Sequence, residues 1–446
     1  MRSGGALHRF VADGVDGSTR SARYIGVLPA RAHRFRSSGL GHQPETHVRI
    51  DRGGWLLFFA HGLSGLGAGP FIAFGVIYQR QLGASAFEIG VLAAIGMLVA
   101  TLVMLPGTRL AERRDLRKTV IAGWVLGVPA PLCYAVAPHW GWTAVGILFL
   151  QLSVFNTPAI SVYLSLGVPR DRIAAVMTTV FSAYSLGLIA SSVLCGWLAQ
   201  VIPLSTLFWV SFAFFFLAAV CIAFLPAKRS PTFTVPSIRY RDLMRFPAYR
   251  VMLALFTVVT GIIFIPWTFT ALYAHEAAHV SNFWIGVLMS VLYLGSVIMG
   301  LSLGRLRRTL GSVTIVLCFE AAYVASAILL LSSMALPILG FAFFLRGAFW
   351  SFRQVMTAVI GEVLPDYAMA KGYGLFALVT GAVVIVAYPI AGWMYGLQVS
   401  MPFWSSALLM AIAMLATVWV RAYFHANYLK PPQVEVVPDD VLPRAA

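Results

Sequence analysis

The sequence predicts an all-α integral membrane protein with 12 transmembrane helices in two parallel six-helix repeats. Three observations lead to this prediction. Of the 446 residues, 59% are hydrophobic and only 11% are charged, whereas about a quarter of the residues in a soluble domain are charged. Long apolar runs alternate with short breaks between about residues 55 and 424. Segments of the first half recur in the second half at one constant spacing.

This composition excludes a soluble globular domain, a disordered chain and a disulfide scaffold. A helix needs about 20 apolar residues to cross a bilayer, so 12 helices need roughly 240 to 280 residues, which the apolar span can hold. Barrel strands are excluded because the runs are too long and continuous. The cysteines match no metal-binding spacing and are interpreted as buried small side chains; they are Cys133, Cys195, Cys221 and Cys318.

Residues 1–52 form a polar tail with nine arginines. The tail has no apolar core of signal-peptide length, so no cleavable signal is predicted. We expect it to be disordered and cytoplasmic. The net charge of +16 would suggest a nucleic-acid partner in a soluble chain. Here the charge lies in tails and loops beside apolar helices, so membrane topology explains it and no nucleic acid is expected.

Each apolar run from Trp55 onward is predicted to be one transmembrane helix that ends at a short break. The predicted helices cover residues 55–79, 86–106, 119–137, 141–165, 173–200, 204–225, 250–273, 282–303, 312–332, 335–360, 371–397 and 402–424.

The positive charges predict the orientation of these helices. The two tails and every second loop hold 29 of the 32 lysines and arginines. The other set of loops holds only Arg80, and Arg346 and Arg353 fall within a predicted helix. Because lysine and arginine concentrate on the cytoplasmic side, both termini are predicted to be cytoplasmic, and the number of helices is even.

An internal repeat divides the chain into two halves. The segment Ser85–Leu92 recurs at Ser281–Leu288 with an offset of 196 residues. The same offset pairs glycines, prolines, tryptophans and arginines elsewhere, including Gly65 with Gly261 and Gly196 with Gly392. The sequence therefore predicts an amino-terminal half at 53–225, a basic linker at 226–249, a carboxyl-terminal half at 250–424 and a cytoplasmic tail at 425–446.

The loop after the second predicted helix carries a charged motif. Glu112 and Arg113 form an acid-arginine step, and Arg117 and Lys118 form a later basic pair. The loop also contains Gly107, Arg109 and Asp115, and Arg305 stands in the equivalent loop of the second half. Two six-helix halves, a basic central loop and this motif resemble the major facilitator superfamily.

The resemblance implies two halves that rock about a central cavity. Helices 1, 4, 7 and 10 would line the cavity, and helices 3, 6, 9 and 12 would face lipid. A midplane site between repeats agrees with the general construction of such proteins. The charged loop would then act as a gate whose ion pairs form in one state and break in the other. Ser191 and Ser192 stand where the antiporter motif of the family has Gly-Pro, so drug/proton antiport loses support.

Charged residues inside a membrane are costly and suggest function. Arg346 and Arg353 lie on one face of predicted helix 10, and they could bind an anionic solute because guanidinium binds carboxylate and phosphate bidentately. The alternatives are a structural ion pair for Arg346 and snorkelling to the interface for Arg353. Glu320 in predicted helix 9 could be a proton site or the fixed ion-pair partner of Arg346; we favour the fixed pair because buried charges usually pair.

Neutral and titratable side chains in other helices complete the candidate site. His61 in helix 1 could relay protons or contact solute, or it could be a packing residue. Its repeat partner in helix 7 is Thr257, and Trp267 could line the opposite wall. Gln151 and Asn156 in helix 4 could bind solute or join helices by hydrogen bonds. Three tyrosines could gate the cavity or stack on solute: Tyr163, Tyr184 and Tyr388. An exposed outer loop rather than a metal site is predicted for the group His275, Glu276 and His279.

The expected function is secondary active transport of a small organic solute, preferably an anion, across the cell inner membrane by alternating access. Proton coupling is expected from His61 and Glu320, as a symporter or an antiporter. The alternatives are a sugar, nucleoside or drug efflux transporter, and a non-transporting scaffold or sensor on the same fold. No enzyme chemistry and no cofactor is predicted, since no nucleophile, metal or nucleotide-binding motif is present in the sequence. The expected partners are the solute, a proton and the bilayer, and we expect a monomer.

Overall fold

The computed structural model describes residues 50–111, 115–228 and 240–427, which lie in one compact unit, Val48–Ala446. Residues 1–49 and 428–446 of the two predicted tails fall outside these ranges, and so do Glu112 and Arg113 of the predicted gate. The side chains of Arg109, Arg305 and Arg353 are also outside the described part, although their helices are described. The described residues contain helices and turns and no strand.

The amino-terminal half consists of eight helices and one 3-10 turn at Val154–Asn156. The helices are α1 Arg52–Gln81, α2 Ala86–Ala111, α3 Leu116–Gly127, α4 Pro129–Ala135, α5 Gly141–Ser153, α6 Thr157–Ser165, α7 Arg170–Leu198 and α8 Leu204–Ala223.

The carboxyl-terminal half begins with a short helix in the linker and continues with eight further helices. They are α9 Tyr240–Leu243, α10 Pro247–Trp267, α11 Thr270–Glu276, α12 Asn282–Leu310, α13 Ser312–Ser332, α14 Leu336–Arg346, α15 Ala348–Val363, α16 Asp366–Leu397 and α17 Met401–Asn427.

Several predicted transmembrane helices are interrupted, and proline accounts for three of the interruptions. Predicted helix 3 is divided before Pro129, predicted helix 4 changes to a 3-10 turn before Pro158, and predicted helix 7 is divided after Pro266. Proline has no backbone N–H to donate and its ring clashes with the preceding turn, so it ends or kinks a helix.

Eleven spans in the described residues are long and apolar enough to cross a membrane. The remaining predicted helix, 335–360, forms α14 with 11 residues and α15 with 16 residues instead of one helix. The division falls at Gly347, which itself has helical dihedral angles (φ −58°, ψ −23°), so α15 continues the direction of α14. Gly347 approaches the backbone of Leu292 and Ser296 in α12 so closely that a side chain there would overlap it.

The linker is attached to the start of α1. Asp51 caps α1 by accepting a hydrogen bond from the Gly54 N–H (2.8 Å) and forms an ion pair with the Lys228 ammonium (2.8 Å). Lys228 also lies 4.4 Å from the centre of the Tyr163 ring and donates to the Tyr163 carbonyl oxygen. We call the side of the bundle where α1 begins the terminal face, and the side where α1 ends the distal face.

Three clusters of buried apolar side chains form the core. One cluster lies wholly in the amino-terminal half, around Leu57 and Tyr163, and a second lies wholly in the carboxyl-terminal half, around Phe256 and Phe352. The third contains residues of both halves, including Phe74 of α1. Close packing of apolar side chains therefore joins the halves through this third cluster.

Candidate functional site

Two helix crossings join the halves near the distal face. Gly90 of α2 meets Gly392 of α16, and Gly196 of α7 meets Gly286 of α12. A Cβ atom added to any of these four glycines would lie under 3.0 Å from backbone atoms of the facing helix. Glycine is therefore required for the close approach, as in other membrane helix pairs with small residues at the contact. We call these two crossings the distal seal.

The distal seal is built from repeat-related residues. Gly90 and Gly286 are separated by 196 residues, and Gly196 and Gly392 have the same separation. The offset of 196 residues therefore relates one crossing to the other. Not every repeat pair lies where the halves touch, since Gly65 and Gly261 contact helices of their own half.

An ion pair between the halves reinforces the distal seal. The Arg80 Nε atom, at the end of α1, lies 2.9 Å from Glu276 Oε1 at the end of α11. The Tyr395 hydroxyl of α16 donates to the other carboxylate oxygen of Glu276 (3.0 Å). Arg80 and Glu276 are also 196 residues apart, so they too are repeat partners. Glu276, predicted to lie in an exposed loop, instead connects the halves.

Reversing this ion pair tests its part in closing the distal face. We expect Arg80→Glu to lower transport by about twofold to fivefold, because partly exposed ion pairs contribute only about 0.2–1 kcal/mol and reversal adds repulsion. The double variant Arg80→Glu with Glu276→Arg should recover most of the wild-type rate, measured as solute flux in proteoliposomes. Equal rates for the single and double variants would show that the pair does not matter for closure.

Side-chain contacts at the terminal face stay within each half among the described residues. In the amino-terminal half, Asp115 caps α3 and Arg117 donates to the Ala223 carbonyl oxygen (3.0 Å). In the carboxyl-terminal half, Tyr249 donates to the Gly372 carbonyl oxygen (2.7 Å). Hydrogen bonds from the Lys118 backbone and side chain lower the pKa of Asp115, which keeps this cap ionised.

The halves are therefore joined at the distal face. Closer to the middle of the bundle, Gly381 of α16 faces Thr101 of α2, where a Cβ atom on the glycine would lie 2.7 Å from the threonine hydroxyl oxygen. This arrangement corresponds to a state closed at the distal face, with its central site below the seal.

Aromatic side chains gather directly below the distal seal. The Trp267 ring of α10 lies 4.8 Å from Phe349, 6.4 Å from Phe264 and 6.0 Å from Trp350, measured between ring centres. Phe264 in turn lies 5.7 Å from Tyr388 of α16. We call these five residues the aromatic site. Trp267, Phe264 and Tyr388 are half-buried.

Hydroxyl groups border the aromatic site. The Tyr388 hydroxyl lies near the Thr268 hydroxyl, and the Tyr388 carbonyl oxygen faces Gly90 across the seal. Aromatic faces with a few hydroxyl groups suit an uncharged organic molecule, since ring stacking supplies contact area and hydroxyls orient polar groups.

His61 is enclosed within the amino-terminal half. Its Nδ1 atom lies 2.8 Å from the Leu57 carbonyl oxygen, and its ring packs edge-on against Trp124 and Phe181. Only 8% of the residue is exposed. These contacts favour the alternative of a packing residue over solute contact in this state.

The predicted polar residues of helices 4 and 7 also make local contacts. Asn156 is buried and its amide donates to the Val120 carbonyl oxygen of α3 (3.4 Å), which joins two helices. The Thr257 hydroxyl donates to Leu253 within its own helix (2.6 Å). Gln151 is half-buried and lies against Gly96 of α2. None of these three belongs to the aromatic site as defined by its described contacts.

Arg346 points into the carboxyl-terminal half. Its guanidinium carbon lies 5.3 Å from the centre of the Tyr323 ring in α13 and 5.5 Å from that of Phe403 in α17. The residue is 1% exposed. The sequence prediction of a cavity-facing arginine ladder therefore does not hold for Arg346 in this state, because the aromatic rings of α13 and α17 attract the cation. The side chain of Arg353 lies outside the described part.

Glu320 is buried beside Arg346 but is not its direct partner. The Glu320 Oε1 atom accepts a hydrogen bond from the Thr417 hydroxyl (2.8 Å). Among the described residues, no nitrogen of Arg346 lies within 4.0 Å of a carboxylate oxygen of Glu320. The favoured prediction of a fixed, direct ion pair is corrected in this respect. Both side chains line one small cavity, together with Phe349 of the aromatic site.

Sequence reasoning missed two important residues. Phe264 was not distinguished from the many aromatic residues of apolar helices, and Arg80 was only counted as a loop charge. The 196-residue offset could have identified Arg80, since it pairs the arginine with an acidic residue at an equivalent helix end. The described residues contain no cluster of three metal-ligating side chains.

Comparisons with known proteins agree with this architecture. The family model described as "Major Facilitator Superfamily" matches residues 57–356. No curated protein sequence matches the chain. The fold is similar to that of the nucleoside transporter NupG (TM-score 0.69, 12% identity, 84% of this chain and 99% of that chain). It is also similar to the human organic anion transporter MFSD10 (TM-score 0.59, 15% identity, 82% of this chain and 99% of that chain).

Proposed function

Because the chain belongs to the major facilitator superfamily of membrane transporters, we propose that it carries a small, uncharged organic solute with a ring system by alternating access. The chain is an integral multi-pass membrane protein and a transporter rather than an enzyme. The observation that carries the proposed solute class is the aromatic site below the distal seal, which is lined by ring faces and hydroxyl groups.

The proposed orientation follows the positive charges. The terminal face carries most of the basic loops and would lie in the cytoplasm, with both termini there and the chain in the inner membrane. The structure would then be the state that is closed to the outside. Rocking of the halves about the aromatic site would open the distal seal and expose the same site to the other side.

A ligand screen tests the solute class. Purified full-length protein would be heated with nucleosides, monosaccharides, aromatic amino acids and dicarboxylates, and each hit would be tested for counterflow in proteoliposomes. A ligand that binds the folded form raises the unfolding temperature by mass action. Uncharged ring compounds among the hits support the proposal. Hits that are only acidic oppose it, and an absence of any transported compound supports the scaffold alternative.

An anionic solute is a second candidate, because none of the three guanidinium nitrogens of Arg346 has a hydrogen-bond partner among the described residues. In another state of the cycle Arg346 would turn toward the cavity, and Arg353 would assist. The screen decides between the candidates when it is repeated with Arg346→Ala. Acidic ligands that bind the wild type and not the variant would favour the anion.

We also propose that Glu320 carries the coupling proton. It is 1% exposed and one of its oxygens has no hydrogen-bond partner among the described residues, so a negative charge on it is poorly compensated. Glu320→Gln should abolish accumulation driven by a proton gradient and preserve solute exchange, because a glutamine cannot release a proton.

The control for this variant is Asp242→Asn in the basic linker. It removes a carboxylate that forms a local ion pair with Arg245, away from the predicted transmembrane helices. Proton-driven uptake in proteoliposomes should be unchanged for this control. If uptake by Glu320→Gln is also unchanged, Glu320 has no part in coupling.

A further inference from the structure

The cavity shared by Glu320 and Arg346 contains polar atoms that the described residues leave without partners. These atoms are Nε, Nη1 and Nη2 of Arg346 and Oε2 of Glu320. Each of the two residues is 1% exposed. Buried polar groups without partners are strongly unfavourable, so the cavity is expected to hold an occupant that satisfies them.

The occupant must be small. The cavity has a volume of only ≈ 10 Å³, so it holds about one small particle. Its wall is otherwise apolar, with Val259 and Ile263 of α10, Phe352 of α15 and Met410 of α17. A polyatomic organic solute of the kind proposed for the aromatic site would not fit.

The occupant must accept hydrogen bonds from Arg346. Three guanidinium nitrogens have no well-aligned hydrogen-bond partner, although the Tyr323 hydroxyl lies near them, and the unpartnered oxygen of the cavity is Oε2 of Glu320. The other oxygen of Glu320 already accepts from Thr417. A water molecule accepts at most two hydrogen bonds, so one water would leave part of the guanidinium unsatisfied.

We propose that this cavity is a binding site for one chloride ion, held by the Arg346 guanidinium while Glu320 is protonated. Chloride accepts hydrogen bonds from several donors at once, and it neutralises the buried arginine. The protonated Glu320 donates its O–H from Oε2 to the ion, while Oε1 continues to accept from Thr417. One chloride and one proton enter together, so the cavity remains electrically neutral, as a buried site requires.

The rings that flank Arg346 favour this site. Tyr323 and Phe403 lie within 5.3 and 5.5 Å of the guanidinium carbon and restrict its rotation, so the N–H groups need little reordering to bind an ion. The titratable groups that line the cavity from α10, α13, α14, α15 and α17 are only Glu320, Tyr323 and Arg346 in the described part. Tyrosine and arginine keep their protons in neutral and acidic solution, so a pH dependence of chloride binding there reports on Glu320.

The inference does not depend on the identity of the transported solute. Phe349 contributes to both the cavity and the aromatic site, but the chloride site is otherwise formed by the interior of one half. Chloride binding can be measured on purified protein without transport. A negative result for chloride binding can therefore be distinguished from a negative result for the proposed function.

The test compares unfolding temperatures in sodium chloride and in sodium gluconate at equal ionic strength. The full-length wild type should unfold about 2 °C or more higher in chloride, with a larger difference at lower pH because Glu320 must be protonated. Glu320→Gln should keep the chloride effect and remove its pH dependence, since the amide can donate to the ion. Arg346→Gln should lose the effect, whereas Arg250→Gln, at an exposed arginine, should retain it.

A second measurement on the wild type covers the case in which Arg346→Gln does not fold. Crystals grown in bromide should show an anomalous scattering peak between the Arg346 guanidinium and the Glu320 carboxyl group. Equal unfolding temperatures in the two salts, a chloride effect that survives in Arg346→Gln, or the absence of a bromide peak would each overturn the proposal. Any of these results would leave water as the occupant.

Discussion

Replacing Gly392 by alanine is expected to lower transport by about tenfold or more, whereas Gly396→Ala, one turn further along α16, should leave it near the wild-type rate. A Cβ atom at Gly392 would lie 3.0 Å from Cα of Phe87 and closer still to the Ala86 carbonyl oxygen, both in the backbone region at the start of α2. At Gly396, a Cβ atom would meet nothing within 4 Å.

The size of the effect follows from the cost of overpacking. Inserting a methyl group into a tight contact costs about 1–3 kcal/mol, which corresponds to roughly 5- to 150-fold in an equilibrium between two states. The distal-closed state would lose that free energy, and the distal-open state would not. The population should therefore shift away from the state described here.

Flux in proteoliposomes and spin-label distances across the distal face would be measured together. Gly392→Ala should lengthen the mean distance between labels on the two halves, and Gly396→Ala should not. The repeat relation adds an internal check. A Cβ atom would also overlap the backbone of the facing helix in the variants Gly90→Ala, Gly196→Ala and Gly286→Ala. Wild-type flux and distances in Gly392→Ala would show that the distal seal is not part of the transport cycle.

Trp267→Leu is expected to raise the KM for the transported solute by about tenfold or more. Trp267 contacts Phe264, Phe349 and Trp350, and each aromatic pair contributes about 0.5–1.5 kcal/mol beyond the area it buries. Losing the indole removes a stacking surface for the solute and also loosens the three rings that surround it.

The control for this variant is Trp404→Leu. Trp404 of α17 is 56% exposed on the outside of the bundle, so its loss should change neither KM nor the maximal rate. Counterflow with the tightest-binding uncharged compound of the screen gives both constants. An unchanged KM in Trp267→Leu, with the protein folded, would remove the aromatic site from solute binding.

Much of the architecture could be predicted from the sequence. Membership of the major facilitator superfamily, the all-helical fold and the membrane location are confirmed. Predicted helices 3, 4 and 7 are interrupted at prolines, and predicted helix 10 is divided at Gly347. The sequence of residues 335–360 does not distinguish Gly347 from other glycines. The break at Gly347 lies where the backbone of α12 packs against it, and that contact is visible only in the structure.

The candidate site could be predicted less completely. Trp267 was identified, and it lies at the centre of the aromatic site. Arg346 was predicted to contact the solute, and that role stays a prediction; in this structure its guanidinium lies beside rings of α13 and α17. Glu320 was predicted to lie near Arg346, and the two side chains line one cavity. The hydrogen bond from Thr417 to one Glu320 oxygen was not predicted.

The sequence by itself determined that this chain lies in a membrane, that it consists of two related halves, and which residues in those halves are equivalent. A bilayer constrains features that can be read along the chain, namely the length of apolar runs and the side of the membrane on which charges remain. A duplication preserves the number of residues between equivalent positions. The tertiary structure alone decided which partner each buried polar side chain meets. Successive helical residues differ by about 100° in direction, so the neighbour that Arg346 or His61 contacts depends on how helices from distant parts of the chain are rotated against each other.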